Sequence, residues 1–113
     1  MGSRHANKLR GHVEAMALSV LEKGDAHGLD IVRTLEEQGK GVLRMKEGTL
    51  YPALYRLEQK GCIRGRWETG EIRHQGARRR IYRLTKKGKR ELAERREEWV
   101  EFASVMEAIV GAT

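Results

Sequence analysis

Cysteine, aromatic residues and long apolar runs are scarce in this chain, and each scarcity narrows what the chain can be. Cys62 is the only cysteine, so no intrachain disulfide can form and nothing points to a secreted, disulfide-stapled domain. Aromatic residues make up 5% of the sequence, which implies a small, largely aliphatic core. No stretch approaches the roughly 18 apolar residues of a membrane span, and no apolar signal-peptide core opens the sequence. The expectation is a cytoplasmic protein without a membrane partner. Met1 to His5 carry little weight, because a short tail of this kind is often foreign to the native chain.

Catalytic and metal signatures are missing as well. His5, His12, His27 and His74 are scattered over different elements, and no His/Cys/carboxylate spacing of a zinc site occurs. There is no phosphate-cradling glycine motif and no nucleophile elbow. The acid pairs Glu36-Glu37 and Glu97-Glu98 sit at helical surface positions, where solvation is the ordinary explanation. No enzyme, cofactor or metal is expected.

Positive charge, by contrast, is abundant and unevenly spread. The 113 residues carry a net charge of +7 with 35% charged residues. Residues 61–90 hold 11 Lys/Arg against 2 Asp/Glu, whereas residues 91–113 hold 2 against 6. A surface serving solubility alone mixes the signs more evenly. Clustering of this kind suits a polyanionic partner, with double-stranded DNA the leading candidate.

The segment Glu47 to Gly61 organises the rest. Leu50, Ala53, Leu54 and Leu57 recur at helical spacing and form one apolar stripe. Pro52, Tyr55 and Gln59 face away, with Thr49, Tyr51 and Arg56 on the flanks. That outer face carries hydroxyls, an amide and a guanidinium, groups able to reach base edges and phosphates in a major groove. Two starts are open for this helix. With Thr49 as cap, Pro52 falls in the first turn; with a start near Lys46, Pro52 lies deeper and bends the axis.

Upstream, Leu9, Val13, Met16, Ala17, Val20 and Leu21 mark a core helix ended by Gly24. Asp25 is a cap candidate for a second helix bearing Gly28, Ile31, Val32 and Leu35. Val42 to Met45 reads as a minimal strand. Downstream, Cys62 to Trp67 and Arg79 to Leu84 read as two strands joined by a long polar loop, with Ile63 and Trp67 facing the core at the hairpin base. Cys62 reads as a small buried hydrophobe. Helix, turn, helix, helix and basic hairpin is the order of a winged helix-turn-helix. The fold class is therefore mostly α with a small β-hairpin.

From Thr85, an N-cap candidate, to Thr113 the chain reads as one long helix. Leu92, Trp99, Phe102, Ala103, Met106, Ile109 and Val110 form a stripe among charged neighbours. A small winged domain cannot cover that stripe alone, and a homodimer with these helices packed across a two-fold axis can. The division expected is residues 1–85 for a winged helix-turn-helix DNA-binding domain and 86–113 for a dimerisation helix.

Several of these motifs together resemble one family. Leu9-Arg10-Gly11, the Gly28 helix, Glu47-Gly48-Thr49-Leu50-Tyr51-Pro52-Ala53-Leu54-Tyr55-Arg56-Leu57-Glu58, Gly61, Trp67, Arg80-Ile81-Tyr82-Arg83-Leu84-Thr85 and Gly88 are similar to the PadR family of bacterial transcriptional regulators, in its compact form. The chain departs from the family pattern at His27-Gly28-Leu29-Asp30, where Tyr-Gly-Tyr-Glu is usual, and at Lys46, which replaces a Ser-type cap and sets a cation beside the DNA-facing helix. The resemblance implies a repressor and a dimer through the last helix. The residues expected to meet DNA are Lys46, Thr49, Tyr51, Tyr55, Arg56, Arg78, Arg79 and Arg80. Those expected at the dimer interface are Val13, Leu92, Trp99, Phe102, Ala103, Met106 and Ile109. The resemblance also implies an alternative, in which Trp99 binds a small aromatic effector within the dimer. A winged-helix module for protein interaction is the other.

Overall fold

The computed structural model describes residues 12–40, 43–68 and 79–111. Four helices and a three-stranded sheet follow in the order α1 (Val13–Glu22), β1 (Ala26–His27), α2 (Gly28–Gln38), α3 (Glu47–Gln59), β2 (Ile63–Trp67), β3 (Arg80–Leu84) and α4 (Lys86–Val110). Leu9 and the tip of the hairpin, including Arg78, lie outside the described residues.

In α1 the buried side chains are Val13, Ala17, Leu18 and Leu21. The apolar face is thus turned from the expected stripe: Leu18 lies at its centre, and Met16 and Val20 are only partly buried at its edge. The turn after Gly24 leads into β1, and this is where the third strand arises. The expected strand over residues 42–45 does not form across its described part, because residues 43–46 are irregular. Met45 is nevertheless buried at 4% exposure, so its apolar side chain serves as a plug and not as a rung. Asp25 does not cap α2 either; His27 precedes that helix, and Asp25 pairs with Arg66 at 3.1 Å.

The sheet is antiparallel with strand order β1-β3-β2. Ile63 faces Leu84, Gly65 faces Tyr82 and Trp67 faces Arg80 across the β2–β3 ladder. Ile63, Tyr82 and Leu84 are buried. Trp67 is on the same face, as the alternation requires, but it is 51% exposed. The core ends before the strand does, and the Arg80 guanidinium covers the indole at 5.3 Å.

Helix α3 begins at Glu47 after Lys46, so Pro52 lies well inside it. Lacking an N–H, Pro52 gives no bond to the carbonyl one turn back. The helix persists because Leu50, Ala53, Leu54 and Leu57 are all within 1% of full burial.

A tight junction joins the end of α3 to the start of α4. Gly61 takes a positive φ of 79°, the left-handed turn that ends the helix. The Thr85 hydroxyl donates to the Gly61 carbonyl at 2.6 Å and accepts from the Gly88 N–H at 3.0 Å. The Thr85 N–H donates to the Cys62 carbonyl at 3.1 Å. Thr85 is therefore the N-cap of α4, as its side chain allows.

Candidate nucleic-acid interface

On α3 the burial pattern separates the two faces cleanly. Tyr55 is 65% exposed and Tyr51 41%; Pro52, Arg56 and Gln59 are exposed, and Thr49 is half-buried. Lys46 is exposed at the helix start. Tyr51 lies against the backbone at the head of α2, because a Cβ on Gly28 would stand 2.6 Å from its hydroxyl oxygen. Burial there pushes the phenol above its ordinary pKa, with the Glu47 charge adding to the effect. Tyr51 consequently keeps its proton and can both donate and accept a hydrogen bond.

Beside this ring is a cleft of about 300 Å³, lined among others by Tyr51, Leu29, Arg33, Arg79 and Arg80. The outer face of α3, the head of α2 and the root of the hairpin thus meet on one side of the molecule. Sequence patterning alone does not reveal Arg33 as a member of this group; its proximity depends on how α2 packs.

The expected arginines are placed differently from one another. Arg79 is exposed. Arg80 is bound into the chain: its guanidinium donates to Glu58 at 2.6 Å, lies over Gly65, and stands 6.0 Å from the Tyr82 ring. Glu58 also accepts from the Gly65 N–H at 3.2 Å. Arg80 therefore staples the hairpin root to α3. Arg56 donates to Glu14 at 2.8 Å while remaining half exposed. On the outer face of the sheet Arg64, Arg66 and Arg83 are exposed, and strand alternation puts them on the side away from Tyr82.

Along α4, Gly88 and Leu92 are the buried residues. The side that carries them continues beyond the domain as Trp99, Phe102, Met106, Ile109 and Val110, all between 42% and 76% exposed, with Ala103 half-buried among them. Trp99 stacks on Phe102 with centroids 5.9 Å apart, and the His12 ring lies steeply inclined to it at 65°, with centroids 6.3 Å apart. Two residues expected at a dimer interface are placed elsewhere. Val13 is 1% exposed and Leu92 3%, so both are core residues of the chain itself with no surface for a second copy. Val100 and Val105 are exposed on α4 and were not among the expected residues.

Cys62 is buried, and burial raises its pKa, with the Glu91 charge contributing. Both effects favour the protonated, less nucleophilic form of the thiol. No group of His, Cys, Asp or Glu among the described residues could hold a metal ion. No described helix is long and apolar enough to cross a membrane.

Comparison with known proteins agrees with this architecture. A transcriptional regulator from Clostridium thermocellum superposes with a TM-score of 0.81 at 31% identity, covering 92% of this chain and 98% of that one. A PadR family transcription regulator from Clostridium difficile gives 0.74 at 33% identity, over 89% and 100% of the two chains. A PadR family transcriptional regulator from Eggerthella lenta gives 0.78 at 27% identity, over 96% and 91%. The model of the transcriptional regulator PadR-like family matches residues 17–94, a span that contains α2, α3, the hairpin and the seating of α4, and the chain belongs to that family.

Proposed function

We propose that this protein is a cytoplasmic repressor that binds a pseudo-palindromic operator in double-stranded DNA as a homodimer. The observation that carries the proposal is the shared face: Tyr51 of α3 and Arg79 at the hairpin root line one cleft. Helix α3 would enter the major groove, with Thr49, Tyr51 and Tyr55 offering hydroxyls to base edges and Lys46 and Arg56 offering positive charge. The hairpin, with Arg79 and Arg78, would hold flanking phosphates or the minor groove. Residues 1–85 would thus bind DNA and 86–113 would join the two copies.

The unpartnered stripe of α4 supports the dimer. Closing it against its own copy buries Trp99, Phe102, Met106 and Ile109 and sets two α3 helices on one duplex, with half-sites about 34–36 Å apart. A signal that changes the angle between the two α4 helices would alter that spacing and release the operator.

The test is binding to the DNA upstream of the protein's own coding region across a salt series. Phosphate neutralisation requires log K to fall with log salt at about −0.9 per contact. Binding that ignores salt would instead favour a protein-interaction module. The stacked Trp99–Phe102 pair also favours a second reading, in which the dimer holds a planar aromatic effector. In a Trp67→Phe background, quenching of Trp99 fluorescence by planar aromatics that survives Arg79→Ala would separate this activity from DNA binding.

A further inference from the structure

Glu14 belongs to α1, yet its carboxylate is shared by cations of two other helices. Its Oε2 accepts from Arg56 Nε at 2.8 Å, and its Oε1 accepts from Lys60 Nζ at 3.0 Å and from Arg95 Nη2 at 3.0 Å. The Glu14 side chain is only 12% exposed, whereas Arg56 and Lys60 are 50% and 47% exposed. A largely enclosed acid therefore holds Arg56 by its inner nitrogen, Nε, and Lys60 by its ammonium, while both side chains remain about half exposed. Arg95 also donates to Glu91 at 2.7 Å, so the cations still outnumber the carboxylates and the cluster presents net positive charge.

We infer that Glu14 is a positioning residue for DNA recognition, fixing Arg56 of α3 and Lys60 at the C-cap of that helix in the orientation they use on the duplex. The inference rests on the proposed DNA-binding reading. A free arginine samples many rotamers and loses that freedom on binding. Engaging Nε restricts the Arg56 side chain and leaves its two terminal amino groups for a base edge or a phosphate, the fork that reads guanine. Lys60, the C-cap residue that follows α3, is held beside it by the other oxygen of the same carboxylate. Burial works to raise the Glu14 pKa, but the hydrogen bonds from Arg56 and Lys60 outweigh it and hold the carboxyl below its ordinary value. The anchor is thus ionised at neutral pH.

The distinguishing consequence is that the loss of Glu14 affects specificity and bulk affinity in different ways. The wild-type protein first selects a preferred duplex from a random-sequence pool. Affinities for that duplex and for a scrambled one are then measured by fluorescence anisotropy for wild type, Glu14→Gln, Arg56→Gln and the double variant, with folding followed by circular dichroism. Glu14→Gln removes a negative charge and is expected to bind scrambled DNA at least as tightly. Its specific-to-scrambled ratio is expected to fall about fivefold or more, the lower end of what one arginine–base pair discriminates. The double variant is expected to discriminate no worse than Arg56→Gln. An unchanged ratio in Glu14→Gln or in Arg56→Gln overturns the inference. So does a proportional loss on both duplexes, the mark of a purely structural role. Failure of the wild type to select any sequence overturns the DNA reading itself and is recognised before any variant is compared.

Discussion

Replacing Gly88 by alanine sets two effects of opposite sign against each other. Gly88 is in the first turn of α4, where alanine is the better helix former by about 1 kcal/mol. Helix propensity alone therefore expects a more stable protein. The geometry expects the reverse, because a Cβ at this position would run into the carbonyl oxygen of Cys62 and would stand 2.7 Å from Leu84 Cδ1. Backbone cannot swing aside as a side-chain tip can, so α4 must shift off the sheet. Overpacking of this kind costs about 1–3 kcal/mol, occasionally more, and weakening the Gly88–Thr85 cap bond adds about 1 kcal/mol. The two costs exceed the propensity gain, leaving a net loss of about 1–3 kcal/mol. For a domain of this size each kcal/mol moves Tm by about 4–8 °C. Thermal unfolding followed by circular dichroism should show Tm lowered by at least about 4 °C. A Tm equal to or above that of wild type would refute the close-approach account of the α3–α4 junction.

Phe102→Asp should leave the protein monomeric at micromolar concentration, where the wild type is expected to be the proposed dimer, without lowering the helix content; sedimentation that shows a dimer for the variant would place the interface elsewhere. Arg79→Ala and Arg80→Ala should separate two roles in neighbouring residues. The first should reduce the salt slope of DNA binding by about one contact with Tm unchanged, and the second should lower Tm because Glu58 loses the guanidinium that faces it at 2.6 Å. Acid should remove the contribution of Glu14. Its folded-state pKa is below the ordinary 4.5, so its stabilisation is complete above that value and is lost as pH falls through the folded pKa. The stability difference between wild type and Glu14→Gln, measured by urea unfolding, should therefore be constant from pH 7 to about pH 5 and shrink below about pH 4; a difference that grows on acidification would contradict the ion-pair cluster.

Periodicity made the helical frame legible in the sequence. The Leu50, Ala53, Leu54, Leu57 stripe defines α3, and the same residues are its buried face. Thr85 reads as a cap from its residue type and position, and its hydroxyl accepts the Gly88 N–H. What escaped the sequence depends on long-range packing. The two-residue strand Ala26–His27 has no pattern of its own and exists because β3 offers it an edge. Trp67 obeys the alternation yet is exposed, since alternation fixes a face and not how far the core extends along it. Glu14 reads locally as an ordinary helical surface acid; its partners Arg56, Lys60 and Arg95 are distant in the chain and meet it only once three helices have docked. Val13 and Leu92 show the converse, in which apolar residues expected between two copies are consumed within one.

As proposed, the outer face of α3 and the hairpin act together on a DNA backbone. The decisive measurement is the affinity of the wild-type protein for the duplex upstream of its own coding region between about 50 and 200 mM salt. With six or more phosphate contacts, the affinity should fall by about a thousandfold or more over that range. An affinity that stays level across the series would contradict the account.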